Sequence, residues 1–128
     1  MARILIAEDE APVRELLARA LIQNGYEVET APDGAAALER LSEKTPFDLL
    51  LTDIRMPVMD GIALALAAAR DHPGIAIVLM TGYAGERDRA HGLDALIHDV
   101  VLKPFSLAEI RTALREALAA RSRRKPLS

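Results

Sequence analysis

Four short apolar stretches in the sequence are each followed within two residues by side chains that can take part in ionic chemistry. These side chains belong to Glu8, Asp9, Asp53, Thr81 and Lys103. Apolar stretches of this length are typical of strands buried in a parallel sheet, and open parallel sheets bind ligands beyond the carboxyl ends of their strands. We therefore expect the five side chains to meet at one edge of a sheet.

The chemistry of this set points to a cation and a phosphoryl group. Three carboxylates within a few ångströms repel one another, and at least one keeps its proton unless a cation compensates. Mg²⁺ suits such a set because it prefers hard oxygen ligands and is held by few carboxylates. Lys103 can neutralise Asp53 or an oxyanion attached to it. Asp53, with the Thr81 hydroxyl nearby, is therefore a candidate acceptor in phosphoryl transfer. The alternative is a set of unrelated surface acids and a lone lysine.

The elements that must position these residues alternate between strand and helix five times. Apolar patterning and turn residues predict strands at 4–7, 26–31, 49–51, 75–80 and 100–102. Helical spacing and stop signals predict helices at 12–21, 35–41, 62–70, 87–93 and 107–120. This order predicts an α/β fold, a doubly wound five-stranded parallel sheet with flavodoxin-like order 2-1-3-4-5 and helices on both faces.

Local signals mark the ends of several helices and one irregular segment. Asp60 can cap the helix that follows Gly61, and Ser106 with Glu109 has capping-box spacing before the last helix. Gly85 lies in the segment 83–96 and lowers its helix propensity, so we expect that segment to be mobile.

Composition restricts the kinds of function open to the chain. The length of 128 residues with 51% hydrophobic content fits one domain, which we expect to span residues 1–120 and to be followed by a basic tail, residues 121–128. The net charge of -3 leaves -7 once the four cations of that tail are subtracted, so the body is acidic and direct DNA binding is not expected. Cysteine is absent, which excludes disulfides, thiolate zinc sites and a cysteine nucleophile.

The apolar segments also bear on location. None approaches the roughly 20 apolar residues that span a bilayer, and the first is too short for a signal peptide. We expect a cytoplasmic protein without membrane contact. Only a short segment follows the last predicted helix, so we do not expect an attached DNA-binding module.

Four pieces of the sequence, in this order, resemble the receiver domains of two-component response regulators. The pieces are AEDE (7–10), LLTDIRMPVMDG (50–61), MTG (80–82) and LKPF (102–105). The resemblance implies that Asp53 takes a phosphoryl group from a histidine kinase or histidine phosphotransferase. It further implies Mg²⁺ binding by Asp9 directly, by Glu8 through water, by Asp53 and by the backbone carbonyl of Arg55.

The same resemblance implies roles for the last two polar residues. The Thr81 hydroxyl would hydrogen-bond the phosphoryl group, and Lys103 would pair with it after a cis bond to Pro104. The sequence departs from the family at Val100, where many receivers carry an aromatic residue that rotates on activation. Tyr83 is either a partial substitute or an ordinary loop tyrosine.

Arg55 has two readings as a side chain. It either projects near the phosphoryl group and tunes its hydrolysis, or it is a solvated surface arginine. Its position two residues after Asp53 fits both.

The resemblance implies a function in signalling through a phosphorylation-dependent protein contact. It implies a receiver that is not a conventional enzyme, and we expect a monomer or weak dimer. The pieces RILIAEDE, LTDIRMPVMDGIALA and TGYA are similar to lone receivers that serve as adaptors of regulated proteolysis, so protease machinery is one candidate partner. A degenerate receiver that acts as a constitutive binding module is an alternative.

Two other classes of protein use related chemistry or the same fold. A Mg²⁺-dependent phosphatase with an aspartyl nucleophile would need an Asp-x-Asp loop after the first strand and a cap, whereas Asp9 is followed by Glu10 and Ala11. A flavin or nucleotide binder would need a Gly- or hydroxyl-rich phosphate loop there, and AEDEAP repels phosphate.

Overall fold

The computed structural model describes residues 2–124, apart from the side chains at positions 84, 91 and 122–124. Five strands alternate with five helices along this range. The strands are β1 (Arg3–Ala7), β2 (Glu27–Ala31), β3 (Leu49–Asp53), β4 (Ala76–Thr81) and β5 (Asp99–Leu102). The helices are α1 (Ala11–Gln23), α2 (Gly34–Leu41), α3 (Gly61–Asp71), α4 (Ala84–His91) and α5 (Leu107–Arg124).

The strands form one parallel sheet in the order β2-β1-β3-β4-β5. This confirms the predicted doubly wound α/β fold. The register pairs Ala7 with Thr52, Asp53 with Met80, and Thr81 with Leu102, so these strands end level with one another. Residues that follow the strands therefore lie along one edge of the sheet.

Apolar clusters on both faces of the sheet hold this edge in place. Leu50 of β3 belongs to the cluster under α2, α3 and α4, whereas Leu49 and Leu51 belong to the cluster under α1 and α5. All three leucines are fully buried, and full burial of one such side chain contributes about 1.5–3 kcal/mol. The apolar run before Asp53 thus anchors the strand from both sides.

Side-chain caps fix the starts of two helices near the site, as predicted. The Ala63 N–H donates to Asp60 Oδ1 at 2.8 Å, which caps α3. At α5 the Glu109 N–H donates to Ser106 Oγ at 3.0 Å, and the Ser106 N–H donates to Glu109 Oε1 at 3.2 Å. Each pair satisfies backbone donors that the first helical turn leaves free.

Two helix boundaries differ from the prediction by more than two residues. Helix α4 begins three residues earlier than predicted, because the tertiary contacts of the buried Glu86 outweigh the low helix propensity of Gly85. Helix α5 continues past the predicted end at residue 120, and Arg121 within it pairs with Asp48 Oδ1 at 3.0 Å and donates to the Gly74 carbonyl at 2.7 Å. Arg121 therefore packs with the body of the protein, whereas residues 125–128 of the predicted tail lie outside the described part of the chain.

Among the described helices, none combines the length and the apolar character that a membrane crossing requires.

Candidate functional site

Three carboxylates meet at the carboxyl edge of the sheet. Glu8 and Asp9 follow β1, and Asp53 is the last residue of β3. One oxygen from each of the three lies within 4.8 Å of the others. Glu8 is fully buried and Asp53 is 6% exposed, whereas Asp9 is open to solvent. The edge thus presents a concentrated negative charge with one side facing water.

Lys103 reaches this cluster from the end of β5. Its Nζ lies 3.0 Å from Asp53 Oδ2 and 3.2 Å from Glu8 Oε1. The backbone N–H of Lys103 donates to the Thr81 carbonyl at 2.7 Å. The peptide bond between Lys103 and Pro104 is cis, as predicted. Lys103 supplies one positive charge to a cluster of three acids.

Burial moves the pKa of one of these acids into the neutral range. It raises the pKa of Glu8 to about 7; the N–H of Glu10, which donates to Glu8 Oε2 at 3.1 Å, opposes this shift, and the charge of Asp53 adds to it. The pKa of Lys103 is raised although burial opposes the rise, because its hydrogen bond to Asp53 and the charges of Asp53 and Glu8 favour the ammonium. The protein alone therefore does not neutralise the cluster.

This donor set fits a hard divalent cation. Carboxylate oxygens are the ligands that Mg²⁺ prefers, and Mg²⁺ keeps several waters, which the solvent-open side at Asp9 allows. A second positive charge would also favour the ionised form of the buried Glu8. The contribution of the Arg55 carbonyl oxygen stays a prediction.

Thr81 lies at the same edge but its hydroxyl is engaged elsewhere. The side chain is buried, and its O–H donates to Glu86 Oε1 at 2.5 Å while Oγ1 accepts the Tyr83 N–H at 3.1 Å. Sequence reasoning missed Glu86 altogether. Its only signal was an acid five residues after Thr81, inside a segment expected to be mobile.

The Arg55 side chain contacts the start of α4, and both readings made from the sequence stay predictions. Its Nε donates to Glu86 Oε2 at 2.8 Å, and its guanidinium lies 3.7 Å from the centre of the Tyr83 ring. The side chain is 62% exposed but held by both partners. Its contacts in this structure are with α4 and the residue before it, and Tyr83 serves as the stacking surface.

Comparison with known proteins decides the family. A family model described as the response regulator receiver domain matches residues 4–115. The chain belongs to that family. Receiver domains are signalling modules that bind Mg²⁺ at an acidic site and interact with histidine kinases or phosphotransfer proteins. The cluster of Glu8, Asp9 and Asp53 fits that description.

Two curated relatives place this receiver domain more closely. It is 43% identical over 123 residues to the response regulator receiver protein CpdR of Brucella abortus, an alignment that covers 94% of this chain and 99% of CpdR. It is 38% identical to the response regulator MprA of Mycobacterium ulcerans, where 91% of this chain spans 50% of that protein.

Solved structures agree with the fold. The CheY-like receiver domain protein of Methanospirillum hungatei superposes with a TM-score of 0.89 at 29% identity, covering 98% of this chain and 99% of that one. The response regulator TrrA of Thermotoga maritima, solved in complex with Mg²⁺ and BeF, superposes with a TM-score of 0.83 at 31% identity, covering 91% of this chain and 99% of that one.

Proposed function

We propose that this receiver accepts a phosphoryl group on Asp53 and signals through a protein contact that depends on phosphorylation. The observation that carries the proposal is the position of Asp53. Its carboxylate ends a fully buried strand, lies 3.0 Å from the Lys103 ammonium and shares one edge with Glu8 and Asp9. The donor would be the phosphohistidine of a histidine kinase or phosphotransfer protein.

The transfer step needs a nucleophile and neutralised charge. An Asp53 carboxylate oxygen attacks the phosphorus, the new O–P bond forms as the P–N bond of phosphohistidine breaks, and the imidazole nitrogen leaves with the electron pair. Lys103 stays beside Asp53 and offsets negative charge that the transferred group brings. The β3 strand holds the nucleophile in place during the step.

The residues that would hold Mg²⁺ are Glu8, Asp9, Asp53 and the Arg55 carbonyl. When bound, the cation neutralises the phosphoryl oxygens and favours transfer. An open groove of about 510 Å³ is lined by Asp9, Arg55, Met56 and Pro57, and we expect a phosphodonor to approach Asp53 from this side.

The output would be a change in protein contacts made in the cytoplasm by a monomer or weak dimer. Similarity to lone receivers that act in regulated proteolysis makes protease machinery the partner we propose to test first. Val100, where many receivers carry an aromatic residue, means that the readout has to use other side chains.

Intact mass spectrometry after incubation with acetyl phosphate tests the proposal. We expect a gain of one phosphoryl group that requires Mg²⁺, occurs in the wild type and disappears in Asp53→Asn. The matched control is Asp71→Asn, which removes an exposed acid at the far end of α3 and should leave the gain intact. A wild type that gains nothing from acetyl phosphate or from a phosphohistidine donor would instead be a constitutive binding module.

A further inference from the structure

A buried hydrogen bond occupies the hydroxyl that the phosphoryl group would need. Thr81 Oγ1 donates to Glu86 Oε1 at 2.5 Å, and both side chains are buried, Glu86 to 6% exposure. A hydroxyl has a single proton to donate. While Glu86 holds that proton, Thr81 cannot donate it to an acceptor on Asp53.

Glu86 is itself fixed by cations from two directions. Its Oε2 accepts from Arg55 Nε at 2.8 Å and lies 3.9 Å from Arg89 Nη1. Arg89 also pairs with Asp60 Oδ2 at 3.2 Å. The Glu86 carboxylate therefore joins the first turn of α4 to the end of β4 and, through the two arginines, to the loop between β3 and α3.

Phosphorylation would set two acceptors in competition for the same donors. An aspartyl phosphate brings strong acceptor oxygens and additional negative charge to the edge of the sheet. The Thr81 hydroxyl would be shared between that group and Glu86, and a second anion would also draw on Arg55. One acceptor gains these donors only as the other loses them.

We propose that Glu86 is a latch that holds Thr81 in the unphosphorylated arrangement and that a phosphoryl group on Asp53 has to displace it. This inference rests on the proposed function and adds a positioning residue to it. Loss of the Thr81 bond would leave a buried carboxylate with one partner fewer, so the first turn of α4 has to rearrange. Phosphorylation at β3 is thereby coupled to the α4 surface without an aromatic residue at position 100.

The latch can be tested through the affinity for a phosphoryl mimic. Calorimetric titration with beryllofluoride at fixed Mg²⁺ would compare the wild type with Glu86→Ala. We expect the variant to bind the mimic more tightly by on the order of tenfold, because the competing acceptor is gone. The matched control Asp88→Ala removes an exposed acid from the same helix and should leave the affinity unchanged.

A double-mutant cycle separates the latch from a general loosening of α4. In a Thr81→Val background the hydroxyl is absent, so Glu86→Ala should raise the affinity by clearly less than it does in the wild type. A gain in affinity of the same size in this background would overturn the latch, because it would depend on the release of Arg55 and not on the Thr81 hydroxyl. Equal or weaker binding by a folded Glu86→Ala would overturn it as well.

Two further outcomes keep the test decisive. If Glu86→Ala shows no cooperative unfolding transition, and so is not folded, Glu86→Gln takes its place and is judged by the same criteria. We expect a smaller gain in affinity from Glu86→Gln, because its amide oxygen still accepts from Thr81. A wild type that binds no beryllofluoride with Mg²⁺ would overturn the proposed function itself. That failure is distinguishable because it does not depend on residue 86.

Discussion

Glu8 shows at the scale of one residue how burial and charge set up the site. Its carboxyl group is fully buried beside Asp53, and Lys103 contacts both acids. One lysine cannot offset two buried acids together with Asp9. The cluster therefore favours binding of a further cation, and without one it lowers the stability of the folded protein.

The pH dependence of stability tests this view of Glu8. Its pKa is raised by burial from 4.5 to about 7, so the native state holds a proton that the unfolded chain releases. Glu8 then contributes stability that is complete below about pH 4.5 and is lost as the pH rises through about 7. With a chelator present to remove divalent cations, the free energy of unfolding measured in urea should decrease as the pH rises from 4.5 to about 7. The decrease should be smaller in Glu8→Gln.

Mg²⁺ should reverse that loss, because a cation beside Glu8 favours the ionised carboxylate. The stabilisation by Mg²⁺ should accordingly be larger at about pH 8 than at about pH 5. Glu15→Gln, on an exposed face of α1, is the control and should keep the wild-type profile. An identical fall with pH in Glu8→Gln and in the wild type would show that Glu8 is not the titrating group.

The loop between β3 and α3 governs the site at the scale of an element. The Gly61 N–H donates to the Ile54 carbonyl at 2.7 Å, which folds the loop back onto the end of β3. A Cβ at Gly61 would lie 2.0 Å from the Asp53 carbonyl oxygen. The backbone that carries Asp53 therefore has room only for glycine at this position.

Gly61→Ala should strain this loop. The new methyl group meets backbone atoms that cannot move aside, so we expect a loss of about 1–3 kcal/mol in the free energy of unfolding, measured in urea. Gly92→Ala is the matched control, since a Cβ there meets nothing within 4 Å, and its stability should stay close to that of the wild type. Equal effects of the two substitutions would contradict the close packing at Gly61.

Val58, at the tip of the same loop, carries backbone strain. Its φ is 73°, a left-handed conformation unfavourable for a β-branched residue, and the residue is 84% exposed. Val58→Gly should raise the free energy of unfolding by about 1 kcal/mol, because glycine adopts this conformation without a steric penalty. The free energy of unfolding of Val58→Ala should lie between those of the wild type and Val58→Gly. A loss of stability in the glycine variant would show that the strain is not relieved.

At the scale of the whole molecule, local patterns were enough to predict the fold. Apolar runs such as residues 49–51 mark strands, turn residues mark their ends, and strand–helix alternation leaves few topologies, so the order 2-1-3-4-5 could be predicted. Strand ends then placed Glu8, Asp53 and Lys103 together, as the structure shows. Their roles in phosphoryl transfer stay predictions.

The parts that could not be predicted depend on contacts between distant segments. Glu86 meets Arg55 from 31 positions earlier in the chain, and no periodicity marks such a pair. Gly85 suggested a weak helix, whereas the contacts of Glu86 and the buried Ala90 hold α4 in place. Arg121, in the part of α5 beyond its predicted end, likewise pairs with Asp48, the residue before β3.

The most direct measurement locates the phosphoryl group itself. Protein incubated with acetyl phosphate and Mg²⁺ would be reduced with borohydride, which converts an aspartyl phosphate to homoserine, and the modified position read by peptide mass spectrometry. We predict homoserine at position 53 alone, and none when Mg²⁺ is omitted. Homoserine at Asp9 or Asp60, or at no position, would contradict the assignment of Asp53 as the phosphoacceptor.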